Sequence, residues 1–251
     1  MKIEKVVIPV AGLGTRLLPA TKSQPKEMLP IGNKPVVQYV VEEMVEQGLN
    51  KILFVTGRDK RSIEDHFDRD PELHSYLSAS DNTGLLDEMD YDKEGVRFFY
   101  TRQIIPKGRH TPAGNGDAVG MAEDFVAGEP FVVAFGDTII RSGNHAGLVR
   151  RLLKSHQDNN AVCTIAVEEV SPDEFHRYGI VHPREGEDPN DFAIESIVEK
   201  PSVSEAPSNL AVASRYVFNP DIFTALRNTP PGYRGELELT SAIQTLIKMG
   251  G

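Results

Sequence analysis

The stretch that most constrains this chain runs from Val6 to Met28, VVIPVAGLGTRLLPATKSQPKEM, where a β-branched run passes directly into a glycine turn and then into two cationic positions, Arg16 and Lys26. An apolar run of about five residues bounded by glycine is long enough for a buried strand. Gly12 and Gly14 carry no Cβ, so the backbone there can take positive φ, approach a ligand closely and turn main-chain N–H groups toward anionic oxygens. Arg16 and Lys26 add full positive charge. Pro19, Pro25 and Pro30 break any long helix through the region, which therefore reads as a wrapped loop. Two common phosphate loops do not match: the Walker A string is absent here, and a GxGxxG fingerprint fails at Leu17, where the third glycine belongs.

The residues after the loop extend it into a repeating α/β pattern. Pro35 followed by VVQYVVEEMVEQ has helical apolar spacing and Gly48 is placed to end it. A strand from Lys51 to Thr56 follows, so strand, loop, helix and strand form a βαβ unit whose right-handed crossover builds a parallel sheet. Ligands collect at the carboxyl ends of such strands, where the glycine loop lies. Residues 58–95 read as a surface excursion of short helices without a strand, and His66 and His74 lack ligand-like company. Val96 to Tyr100 is a third strand, leading through Gln103 and the loop PKGRHTPAGNGDAV into a helix over about Asp117 to Phe125. PFVVAFGDTII is a continuous apolar strand stopped at Gly136 and Asp137, a carboxylate where an α/β sheet would place a magnesium ligand. A helix over Gly147 to Gln157 and a strand over Ala161 to Val167 follow. YGIVH, SIVEK and AVASRYVF then read as short antiparallel additions to the sheet, and Pro220 to Leu226 and Leu239 to Met249 as two closing helices.

The chain has 251 residues, of which 39% are hydrophobic, enough for a sizeable core. We read it as one domain over 1–251, in two halves at about 1–140 and about 141–251. The formal net charge of −10 argues against a nucleic-acid or anionic-membrane partner, because phosphate backbones require an electropositive face. Cys163, the single cysteine, lies in the run AVCTIAV, so neither a disulfide framework nor a cysteine-based zinc site is available, and it reads as a buried strand residue. MKIEKVVIPV lacks the apolar segment of a signal peptide and no run of about 18 apolar residues occurs, so a cytoplasmic protein is expected.

AGLGTRLLPATKSQPKEMLP closely resembles the signature of the sugar-nucleotide pyrophosphorylases, in particular the bacterial UTP:glucose-1-phosphate uridylyltransferase family. The resemblance covers nearly the whole chain and implies the nucleotide-diphospho-sugar transferase fold, a Rossmann-like, mostly parallel mixed sheet flanked by helices, with a nucleotide-binding half at about 1–140 and a sugar-binding half at about 141–251. It implies a magnesium-assisted nucleotidyl transfer between UTP and a sugar 1-phosphate. Both reactants are anions, so the site must neutralise charge and hold geometry rather than supply a nucleophile. Carried over position by position, the resemblance gives Ala11, Gly12 and Gly14 to base and triphosphate, Arg16 to the pyrophosphate, and Lys26 to the phosphates at the reacting centre. Gln103 would read the uracil edge and Asp137 would hold Mg2+. Gly179, Glu199 and Lys200 match the sugar site, with the glutamate on sugar hydroxyls and the lysine on the sugar phosphate, and Asn209 lies in the matching PSNLA segment.

Each of these positions has a plainer reading. A strand-end Glu–Lys pair is usually a surface ion pair of little energetic value, Asn209 is most simply a turn former, and Arg215 a structural salt-bridge donor. Three departures from the family pattern stand out. RHTPAG is inserted in the base loop, so either Gly108 or Gly114 could contact the base, and Gly114 is preferred because it adjoins the helix start; Asp117 replaces a histidine there. Ser241 stands in GELELTSA where the family carries an aspartate, which limits the metal to one ion. The family pattern also continues past Gly251 into a segment that assembles oligomers, so a homo-oligomer is an open expectation. Another NTP:sugar-1-phosphate nucleotidyltransferase, or a nucleotide-sugar-binding regulatory paralogue without turnover, is the alternative reading.

Overall fold

The computed structural model describes residues 2–80, 83–89, 91, 95–141, 147–232 and 235–250. Strand β1 (Lys5–Pro9) enters the glycine loop, which winds through three short 3-10 turns, Thr15–Leu17, Ala20–Lys22 and Lys26–Met28. A two-stranded ribbon, β2 (Pro30–Ile31) and β3 (Lys34–Pro35), leads into α1 (Val36–Glu46) and β4 (Lys51–Thr56). The excursion is α2 (Arg61–Phe67), α3 (Pro71–Ala79) and α4 (Thr83–Met89). Next come β5 (Arg97–Arg102), α5 (Asn115–Gly120), α6 (Glu123–Val126), β6 (Phe131–Ala134) and α7 (Leu148–Asp158). The last part is β7 (Cys163–Glu169), β8 (Gly179–Pro183), β9 (Ile194–Glu199), β10 (Leu210–Phe218), α8 (Asp221–Asn228) and α9 (Leu239–Lys248).

One eight-stranded sheet in the order β5-β4-β1-β6-β10-β8-β9, with β7 also on β10, runs through both halves of the chain. The pairings β1–β4, β1–β6 and β4–β5 are parallel, and β10 is antiparallel to β6, β7 and β8. The expected mixed sheet with antiparallel additions is therefore observed. Alternate residues of the central strands serve opposite faces: Val7 and Val133 pack under α5, α8 and α9, whereas Val6, Ile8 and Val132 pack against α1, α2 and α7. A strand covered on both faces has no polar side, which is why VVIPV and FVVA are continuous apolar runs.

Most element boundaries shift by a residue or two, but two expectations need correction. The helix read over Asp117 to Phe125 is two short pieces, α5 and α6, because Gly120 ends the first. Cys163 begins β7 half-buried rather than buried, although burial still pushes its thiol up. No helix among the described residues is long and apolar enough to cross a membrane.

Candidate active site

The glycine loop is shaped by close approaches at the carboxyl end of the sheet. Val10 N–H extends the β1–β4 ladder to Val55 O at 2.9 Å, and Ala11 is buried. A Cβ on Gly57, just past β4, would lie 3.1 Å from Ala11 O, so the bare glycine eases the close approach of the two strand ends. Gly14 takes φ 68° and its carbonyl accepts from Thr21 Oγ1 at 2.8 Å, which closes the loop on itself.

That closure delivers Lys26. A Cβ on Gly12 would stand 3.6 Å from Lys26 Cε and Nζ, so the ammonium lies over the bare glycine backbone. Lys26 Nζ donates to Asp137 Oδ2, from a position 111 residues away in the chain. Asp137 follows β6 through Gly136, where any Cβ would collide with Val10 and Ile8 of the neighbouring strand. Burial pushes the Asp137 carboxyl up, but the charge and hydrogen bond of Lys26 outweigh it and hold the group below its ordinary value. Thr138 Oγ1 donates to Asp137 Oδ1 at 3.3 Å. Arg215, wholly buried, ties this loop to α1: its Nη2 donates to Thr138 O at 2.9 Å and to Glu43 Oε2 at 2.7 Å. The salt-bridge reading of Arg215 thus holds, at a place that steadies Asp137.

A second ion pair lies behind the first. Glu27, next to Lys26 in the same 3-10 turn, turns inward and accepts from Lys60 Nζ at 2.7 Å, with side chains 1% and 7% exposed. Burial pushes the Glu27 carboxyl up and pulls the Lys60 ammonium down, each against the attraction of its partner.

Gln103 is buried just past β5, and its Nε2 donates to Gly114 O at 2.8 Å and to Asp117 Oδ2 at 2.7 Å. Gly114, with φ 110°, caps α5, and a Cβ on it would come within 2.7 Å of Leu237 N, so this glycine is required by the packing of the 235–239 segment. Gly108, at φ 86°, meets nothing within 4 Å. Gln103, Gly114 and Asp117 are thus one cluster.

The residues of the sugar half gather at the ends of β8 and β9. Gly179 pairs with Glu199 across the sheet, and Thr240 of α9 occupies the space a Cβ would need, 2.7 Å from that point. Lys200 is held at φ 47° by its N–H to Tyr178 O at 2.9 Å, an uncommon backbone for a side-chain-bearing residue. Its ammonium donates to Glu199 Oε1 and, at 3.2 Å, to Glu238 Oε1. Burial pulls Lys200 down, and the two carboxylates more than offset this and raise it. Asn115 Oδ1 accepts from Leu239 N at 2.7 Å, which joins the Gln103 cluster to Glu238 through one short segment.

Two expected residues make no side-chain hydrogen bond or ion pair among the described residues. Arg16 lies exposed in the first 3-10 turn with no ion pair among the described residues, and Asn209 is exposed, in a turn closed by Ser208, whose Oγ accepts from Leu210 N at 3.0 Å. Ser241 lies on α9, where its carbonyl accepts from Thr245 Oγ1 at 3.1 Å. Sequence reasoning passed over the roles of Glu27, Lys60 and Glu238. The charges were visible in PKEM, GRDK and GELEL, but nothing local says which opposite charge each would meet. Among the described residues no three His, Cys, Asp or Glu side chains are arranged to hold a metal. Asp137 is a single carboxylate beside a cationic loop, which suits an ion such as Mg2+ that takes one or two carboxylates and fills its shell with phosphate oxygens and water.

Comparison with known proteins bears on the family and the fold. The nucleotidyl transferase family profile matches residues 5–251. The chain is 45% identical over 245 residues to the UTP--glucose-1-phosphate uridylyltransferase of Bacillus subtilis, covering 98% of this chain and 80% of that one. It is 44% identical over 246 residues to UTP--glucose-1-phosphate uridylyltransferase 1 of Staphylococcus saprophyticus, covering 98% and 82%. A crystal structure of UDP-glucose pyrophosphorylase complexed with UDP-glucose superposes with TM-score 0.86 at 37% identity, over 99% of this chain and 88% of that one. A UTP-bound UGPase from Acinetobacter baumannii superposes with TM-score 0.86 at 38% identity, over 98% and 83%.

Proposed function

The chain belongs to the nucleotidyl transferase family, and we propose that within it this protein is a UTP:glucose-1-phosphate uridylyltransferase, making UDP-glucose and pyrophosphate from UTP and glucose 1-phosphate. The observation that carries the reading is the Lys26 ammonium set over bare Gly12 and against Asp137. A phosphate oxygen of the sugar phosphate attacks the α-phosphorus of UTP, and the bond from that phosphorus to the bridging oxygen breaks, so pyrophosphate departs with the electron pair. The attacking oxygen is already ionised, so the work left to the protein is neutralisation and alignment.

The chain's own residues divide that work. With substrate bound, Lys26 would leave Asp137 for the triphosphate oxygens, and the freed carboxylate would hold Mg2+. When bound, the ion would supply charge neutralisation at the phosphates. The Gly12 and Gly14 backbone and the exposed Arg16 take the remaining phosphate charge, while Gln103 and Gly114 meet the base. On the other side Lys200 meets the sugar phosphate, and Glu199, Gly179 and Asn209 line the sugar. Lys200 rests against two carboxylates, so one of them is released to a hydroxyl when the phosphate arrives. A cytoplasmic setting and action on small anionic substrates, without nucleic acid or membrane, accord with the acidic composition.

Pyrophosphate release from UTP, CTP, dTTP, ATP and GTP, each with glucose 1-phosphate and other sugar 1-phosphates in magnesium, tests the reading. UTP with glucose 1-phosphate should be turned over most efficiently. Turnover with no pair, together with tight UDP-glucose binding by calorimetry, would instead identify a binding paralogue.

A further inference from the structure

From the Gln103 cluster we infer that Asp117 is a specificity-determining residue: it locks the Gln103 carboxamide with its carbonyl outward, and so selects a pyrimidine carrying an imino N–H. The inference rests on the uridylyltransferase reading and extends it to a residue outside the expected base contacts.

The orientation of a glutamine amide follows from its partners. Gln103 faces two groups that can only accept, the carbonyl of Gly114 at 2.8 Å and the Asp117 carboxylate at 2.7 Å. If the amide were flipped, its oxygen would meet two acceptors inside a buried site, leaving both repelled and unpaired. The Nε2 group must therefore point inward and Oε1 away. A carboxylate accepts more strongly than a neutral oxygen, so Asp117 contributes the larger share of this lock. Its placement is firm, in the first turn of α5 with Gly114 as the cap and Asn115 bound to Leu239 N. Among the described residues nothing donates to Oε1.

An outward acceptor on a buried side chain reads one feature of a base. Uracil and thymine present N3–H where cytosine presents a bare ring nitrogen. With the base set in place by the loop backbone, Oε1 pairs with the first two and repels the third. Thymine differs from uracil only at C5, which Oε1 does not touch. Asp117 should therefore govern the choice of UTP over CTP and leave the choice of UTP over dTTP alone. A merely structural role for Asp117 would change all three nucleotides together.

The test compares Asp117→Asn and Asp117→Ala with the wild type, using kcat/KM and calorimetric affinity for UTP, CTP and dTTP. Asn is nearly isosteric and can also donate, so it permits the flipped amide; Ala removes the partner outright. The UTP:CTP ratio should fall about tenfold in both variants, the difference between a charge-assisted and a neutral hydrogen bond, while UTP:dTTP stays within about twofold. Wild type that favours UTP over CTP, with variants whose UTP:CTP ratio is unchanged, would overturn the role of Asp117 and leave the activity standing. Wild type that neither turns over UTP nor binds it better than CTP would overturn both.

Discussion

Lys26 and Glu27 are neighbours in one 3-10 turn, yet each forms an ion pair of a different kind. Lys26 reaches Asp137 with both side chains partly open to solvent, whereas Glu27 reaches Lys60 where both are nearly sealed off. In the outer pair the carboxyl is held below its ordinary value, so attraction prevails over burial. In the inner pair both groups are displaced toward their neutral forms, so burial prevails over attraction. A pair of that second kind adds little net stability, although removing one partner strands the other. What it does supply is location: it pins the turn that carries Lys26 to the start of α2. The outer pair can open to substrate because the inner one holds the turn in place.

Three measurements would break or sharpen this contrast. The largest effect should come from the outer pair, where Lys26→Ala and Asp137→Ala each lower turnover by about a hundredfold or more, with urea midpoints near wild type. Near-normal activity of Asp137→Ala in magnesium would show a turn residue and no more. Next, Lys60→Met should lower unfolding free energy by about 3–5 kcal/mol, because Glu27 is left buried and alone, whereas Glu27→Leu combined with Lys60→Met should recover most of the loss. A double variant as unstable as the single one would show that the pair itself stabilises the fold.

The smallest effect is in the pH dependence, where the two carboxylates should act with opposite sign. Glu27 has a folded value above 4.5, so its contribution is present below that pH and is lost as pH rises through the raised value. Asp137 has a folded value below 3.8, so its contribution is present above that pH and is lost as pH falls through the depressed value. Urea titrations across the acid range should show Glu27→Gln removing a downward slope above pH 4.5 and Asp137→Asn flattening the acid limb. Identical profiles in wild type and both variants would refute the assignment.

Much of this arrangement was legible in the chain. VVIPV and KILFVT announce parallel strands because both faces of the sheet are covered, and Gly12 and Gly14 announce a loop that approaches an anion. AVASRYVF likewise announced β10, whose alternate residues feed the two cores. The break between α5 and α6 was less legible, since DAVGMAEDFV keeps helical apolar spacing across the glycine that ends the first helix. Gly179 was visible as part of a motif, but not as the space into which Thr240 packs.

Local pattern thus set the strand, the glycine loop and the two cations, because strand pairing faces and backbone freedom follow from residues close together in the chain. Which charge meets which was decided in three dimensions. Lys26 finds Asp137 from 111 residues away and Glu27 finds Lys60 from 33, while Lys200 is shared between its neighbour Glu199 and the distant Glu238. Coulomb attraction does not encode a partner. The path of the loop and the register of β1, β6 and β9 decide which carboxylates come within reach of each ammonium.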